Sequence, residues 1–136
     1  MKQMIAHVDG ASRGNPGPAG IGVVLETPDH EVLREVAEPL GRTTNNVAEY
    51  TALIRCLEEA RSLGCTHLQV LTDSELMARQ INGVYKVRTP HIVPLYERAI
   101  GLLRSFDQAT VRHVRRELNK HADRLSNLGA DQVEPR

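Results

Sequence analysis

Four acidic side chains sit where their carboxylates could meet. Asp9 follows the apolar run Met4–Val8, which alternates as a strand, and Asp73 follows a second run, Leu68–Thr72. A helical stretch lies between them, which predicts parallel neighbouring strands whose two acids project at one sheet edge. Ligands of open α/β sheets bind outside such strand ends. Glu49 shares a helical face with Leu53, Cys56 and Ala60. That is the buried face, so its carboxylate points back toward the sheet. Acids are rarely buried without a partner, and the plain alternative is an acid that stabilises the helix N-terminus. Asp123, four residues after the helix-cap candidate Asn119, reads alone as a solvated first-turn acid. Its case depends on the other three. Convergent carboxylates repel and shift one another's pKa, and a divalent cation relieves that repulsion. All-oxygen ligands favour Mg²⁺ or Mn²⁺ over zinc. Two such ions about 4 Å apart suit in-line displacement at a phosphodiester.

The stretch from Asp9 to Gly20 is dense in glycine and proline and is expected to form a loop. It is neither a Walker A loop nor a dinucleotide fingerprint. It reads either as a plain strand connection or as a surface pressed against a sugar–phosphate chain. In the second reading its amides, with Asn45 and Asn46, face 2′-hydroxyls and minor-groove edges.

The elements that must position these groups follow from pattern. Ile21–Glu26 and Val32–Ala37 read as two further strands, giving a three-stranded antiparallel meander. Val47–Leu63 has helical apolar spacing and ends at Gly64, and Glu75–Ile81 is a short helix closed by Asn82-Gly83. Ile92 to Phe106 marks another helix face, regular from Pro94. Ala109–Val114 is the last strand, and Asn119 caps a helix to about Ala130. The order β-β-β-α-β-α-α-β-α predicts an α/β fold, a five-stranded mixed sheet flanked by helices.

The 136 residues are read as one domain, residues 1–136. The apolar fraction of 40% with 25% charged residues is ordinary globular composition. No signal segment or membrane-length apolar run is seen, so a cytoplasmic location is expected, with no membrane partner. Cys56 and Cys65 are read as buried free thiols. The 17 basic and 17 acidic residues cancel, which argues against binding nucleic acid by bulk charge alone. No exposed apolar stripe stands out, so a monomer is expected.

Four motifs in order resemble the type 1 ribonuclease H family. They are Asp9 to Gly20, Thr43-Thr44-Asn45-Asn46-Val47-Ala48-Glu49, Thr72-Asp73-Ser74 and Ala122-Asp123-Arg124-Leu125. The resemblance runs over nearly the whole chain, and Asn82 to Val87 looks like the small bacterial and archaeal branch. The resemblance implies a ribonuclease H-like fold. It also implies an endoribonuclease that hydrolyses the RNA strand of RNA–DNA hybrids to 5′-phosphate and 3′-hydroxyl products. Asp9, Glu49, Asp73 and Asp123 would be the catalytic metal ligands, for two Mg²⁺ (or Mn²⁺) ions per site with substrate bound. Gly10, Ser12, Arg13, Gly14, Asn15, Asn45, Asn46 and Ser74 match positions on the hybrid side, and Arg42 and Thr44 match a phosphate pocket on the DNA strand.

The chain departs from that pattern twice. Many members carry a His in a flexible loop before the last helix. Here the connection is the short Arg115-Arg116-Glu117-Leu118-Asn119. Arg116, Glu117 and His121 are the candidates for the auxiliary role, while His113 reads as structural. The basic, Trp-bearing protrusion of some relatives is also missing, since Val84–Pro90 holds only Lys86 and Arg88. Two alternatives stand beside the hybrid nuclease: a same-fold nuclease for double-stranded RNA, and a non-catalytic hybrid-binding module.

Overall fold

The computed structural model describes residues 1–133. Strands β1 (Gln3–Ser12), β2 (Gly17–Glu26) and β3 (Val32–Thr43) come first, followed by helix α1 (Asn45–Ser62) and strand β4 (His67–Thr72). Helices α2 (Glu75–Ile81) and α3 (Val93–Leu103), strand β5 (Gln108–His113), a 3₁₀ turn (Arg116–Leu118) and helix α4 (Lys120–Asp131) complete the chain. The sheet order is β3-β2-β1-β4-β5. The first three strands are the antiparallel meander expected, and β1, β4 and β5 are parallel. The fold is the five-stranded mixed α/β sheet read from the sequence.

The sheet is covered differently on its two faces. On one, Ile21, Val23 and Leu25 of β2 join Tyr50, Leu53 and Leu57 of α1 in the apolar core. Removing these side chains from water is the main source of stability. The buried Tyr50 hydroxyl donates to Gln80 Oε1 at 2.7 Å, tying α1 to α2. On the other face α4 lies directly on backbone. A Cβ at Gly20 would sit 2.3 Å from the Ala130 nitrogen, and one at Gly22 would sit 2.2 Å from the Ala122 oxygen. Only glycine permits that approach.

These contacts correct the expected loop. β1 runs on to Ser12 and β2 begins at Gly17, so Asp9-to-Gly20 is mostly ladder, with Ser12 paired to Ala19. Gly10 and Gly20 answer to helices packed on the sheet, while Gly14 and Gly17 answer to the short turn between the strands. β3 likewise runs past Ala37 to Thr43, with Pro39 inside it. As an edge strand it tolerates a residue with no N–H. α1 starts at Asn45 rather than Val47, because the Thr44 side chain accepts from the Val47 amide at 3.3 Å. Asn119 precedes α4 but its side chain makes no cap bond. Among the described residues no helix is long and apolar enough to cross a membrane.

Candidate active site

The parallel ladder of β1 and β4 ends at the pair Val8–Thr72. Asp9 of β1 and Asp73, the residue just past β4, come next along the chain, which places both acids at one sheet edge. Glu49 comes from the first turns of α1, and its Oε2 accepts from the Gly10 amide at 3.2 Å. A Cβ at Gly10 would lie 2.3 Å from the Ala48 carbonyl carbon, so the bare backbone of β1 is what admits the helix. Carboxylate oxygens of Asp9, Glu49 and Asp73 all lie within 4.8 Å of one another. Asp9 and Glu49 are buried, at 4% and 7% exposure. Asp123, half-buried on α4, lines the same cleft with Ser12, Asn45, Arg116 and Asn127, but stands outside the set of three.

The electrostatics are those of buried acids crowded together, which resist ionising until a cation joins them. Burial pushes the Asp9 carboxyl up to about 8; a Ser126 hydrogen bond opposes the rise, and the Asp73 and Asp123 charges add to it. Burial, then the charges of Asp9 and Asp73, pushes Glu49 well above the usual carboxylate range. Among the described residues the basic group paired with a cleft acid is Arg116, whose Nε lies 3.9 Å from Asp73 Oδ2 with 81% of its side chain exposed. The donor set is therefore oxygen-only, acidic and mostly shielded from water. It fits a hard divalent cation such as Mg²⁺ or Mn²⁺.

The residues expected to face a nucleic acid surround this cleft, and several of them also hold the fold together. Ser12 Oγ donates to the Thr43 carbonyl at 2.8 Å, and Asn15 Oδ1 accepts from the Asn45 amide at 3.0 Å. These two bonds fasten the end of β1 and the turn after it to the end of β3 and the start of α1. Thr44 and Ser74 cap α1 and α2. Arg13 pairs with Asp131 of α4, and Gly14 takes a positive φ of 104°. Arg42 and Asn45 are exposed, and Asn46 is half-buried. The glycine reading divides: Gly10 is filled from inside by α1, and the Gly14 segment is the exposed part.

The auxiliary candidates separate as well. Arg116 lines the cleft, while Glu117 is exposed in the 3₁₀ turn. His121 is turned away, its Nε2 bonded to Glu35 of β3. His113, expected to be structural, is exposed at the end of β5.

Two side chains at the site had not been singled out for the roles they hold. Ser126 donates to Asp9 Oδ2, and Asn119 Nδ2 donates to the Val8 carbonyl at 2.9 Å. For Ser126 the available signal was its spacing, three residues after Asp123 on one helix. Asn119 was noted only as a cap. It is 1% exposed, and its Oδ1 is the buried side-chain polar atom without a partner among the described residues.

A family profile described as "Reverse transcriptase-like" matches residues 7–129. The bifunctional protein Rv2228c of Mycobacterium tuberculosis is 45% identical over 130 residues, which cover 95% of this chain and 36% of that protein. The chain thus spans about a third of the length of the mycobacterial relatives it matches. The crystal structure of RNase H1 from Halobacterium salinarum NRC-1 superposes with a TM-score of 0.93 at 40% identity, over 96% of this chain and 99% of that one. LC11-RNase H1 in complex with an RNA/DNA hybrid, a protein isolated from compost, gives 0.90 at 40% identity over 95% and 97%. Profile, sequence and shape agree across most of the chain, and it belongs to the ribonuclease H family of hydrolases.

Proposed function

We propose that this chain is a metal-dependent endoribonuclease that hydrolyses the RNA strand of RNA–DNA hybrids, leaving 5′-phosphate and 3′-hydroxyl ends. The observation that carries the reading is the convergence of Asp9, Glu49 and Asp73 oxygens within 4.8 Å at the sheet edge. It is supported by the likeness to LC11-RNase H1, whose structure holds an RNA/DNA hybrid.

Asp9, Glu49, Asp73 and Asp123 hold the cations. Two Mg²⁺ or Mn²⁺ ions, bound together with substrate, would supply an activated water and charge stabilisation at the leaving 3′-oxygen. The chain's own groups do the rest. The turn carrying Ser12, Arg13, Gly14 and Asn15 and the start of α1 with Asn45 and Asn46 form a polar rim along the cleft, where an RNA backbone is recognised by its 2′-hydroxyls. Gly10 and Ser74 border the same acids. Arg42 and Thr44 meet the DNA strand's phosphates, where a guanidinium fork suits a phosphate oxygen pair. Arg116, facing Asp73 from an exposed position, is the group placed to move between that acid and a departing phosphate. The protein acts as a monomer on hybrids in the cytoplasm.

The test is cleavage of a labelled RNA–DNA hybrid with Mg²⁺, with Mn²⁺ and with EDTA. Duplex RNA, duplex DNA and Asp73→Asn run alongside. Metal-dependent cutting of the hybrid's RNA strand, reduced at least about a thousandfold in the variant, is expected. Preferential cutting of duplex RNA would redirect the substrate assignment. Binding of the hybrid without cleavage by folded wild type would leave a hybrid-binding module.

A further inference from the structure

Ser126 is wholly buried on α4, so neither solvent nor substrate reaches it. Its Oγ lies 2.5 Å from Asp9 Oδ2 and 2.8 Å from the Asp123 carbonyl oxygen. A serine has one hydroxyl proton to donate. The contact to the carboxyl oxygen is the shorter of the two, and once Asp9 is ionised, as a cation ligand must be, it accepts a charge-assisted O–H···O⁻ bond.

The packing explains why so short a side chain can reach. Asp9 is paired across the β1–β2 ladder with Gly22. A Cβ at Gly22 would lie 2.6 Å from the Ser126 nitrogen and 2.2 Å from the Ala122 oxygen. The bare glycine brings α4 down onto β2, within one hydroxyl of the acid on the neighbouring strand. The same helix carries Asp123 three residues earlier, and Asn127 Nδ2 donates to the Asp123 carbonyl at 2.9 Å. One bond, spanning 117 positions of the chain, thus links the acid of β1 to the helix that supplies the cleft's fourth acid.

We propose that Ser126 is a positioning residue of the metal site: by holding Oδ2 of Asp9 it fixes that carboxylate's orientation against α4 and so sets the affinity of the site for divalent cations. The proposal rests on the reading that these acids hold the cations. Partners that orient a ligating carboxylate typically affect metal affinity or activity 10- to 100-fold.

The test is calorimetric titration of Mn²⁺ and Mg²⁺ into the substrate-free protein, for wild type, Ser126→Ala and Ser126→Thr. Melting in EDTA checks the fold of each, and steady-state cleavage of a hybrid runs in parallel. Ser126→Ala is expected to weaken Mn²⁺ binding about tenfold and to lower kcat with KM unchanged. Ser126→Thr, which keeps the hydroxyl, is expected to recover most of the affinity. Where the extra methyl prevents folding, Ser126→Cys serves instead, with an intermediate affinity expected from its weak S–H donor. Wild-type affinity, or tighter binding, in folded Ser126→Ala overturns the proposal while leaving the nuclease reading intact. Absence of both cation binding and cleavage in wild type overturns the two together.

Discussion

Glu49 Oε2 lies 3.2 Å from the amide nitrogen of Gly10, the residue that follows Asp9. The bond fastens the acid-bearing turn of α1 to the acid-bearing strand, and the two segments touch there as bare backbone. A methyl group at Gly10 would stand 2.4 Å from the Glu49 nitrogen. Gly10→Ala is therefore expected to cost about 3 kcal/mol or more, the range of severe overpacking, and to abolish cleavage even where the protein still folds. Urea denaturation gives the first quantity and a hybrid cleavage assay the second. A cost below about 1 kcal/mol would show that the helix can shift aside.

The pH dependence of the metal-free protein has a defined sign. Asp9 is pushed from 3.8 up to about 8, chiefly by burial. The folded state therefore keeps a proton that the unfolded chain has lost above its ordinary pKa. The resulting stabilisation is full below pH 3.8 and is lost as the pH rises through about 8. Glu49, raised by burial and by Asp9, acts in the same direction. The urea midpoint in EDTA should fall as the pH rises from about 4 to about 8, and Asp9→Asn should remove much of that fall. Divalent cations should reverse it at alkaline pH, because they bind the deprotonated acids.

Arg116 stands 3.9 Å from Asp73 but is largely solvated. Exposed pairs of this kind contribute little to stability, about 0–1 kcal/mol. Arg116→Ala should leave the melting temperature nearly unchanged and lower kcat about tenfold, the size of one lost transition-state or release contact. A drop in stability with kcat intact would assign the arginine to the fold instead.

Formal net charge is zero, so attraction to the hybrid is local. Its affinity should fall steeply with salt, with a log–log slope between about −2 and −4, corresponding to a few phosphate contacts at about −0.9 each. Fluorescence anisotropy with a catalytically dead variant across a salt series measures it. A slope near zero would mean that phosphate contacts do not hold the substrate.

The parallel pairing of β1 with β4 was legible because the helix between them leaves little choice of connection, and Glu49 was legible because an acid on an apolar stripe is conspicuous. The strand ends were not. Gly10 and Gly20 stand in a stretch with the composition of a loop, Gly22 in a strand pattern, and nothing local says that helices will rest on them. Asn119 stands where a cap belongs, yet its amide goes to Val8, 111 positions away. Ser126 looks like any helical serine until Gly22 brings it against Asp9. His121 sits beside Asp123 in sequence, but on the helix it turns toward Glu35. In each case a partner distant along the chain decides the role.

The link between β1 and α4 also has a consequence in time. A ribosome makes the chain from its N-terminus at about 5–20 residues per second. Asp9, Glu49 and Asp73 are all made well before Asp123 and Ser126 exist. Until α4 docks on Gly20 and Gly22, the Asp9 carboxylate has no hydroxyl to hold it and the cleft lacks one wall. The three acids of the sheet edge are therefore joined by Asp123 only after α4 has been made and has settled on the sheet.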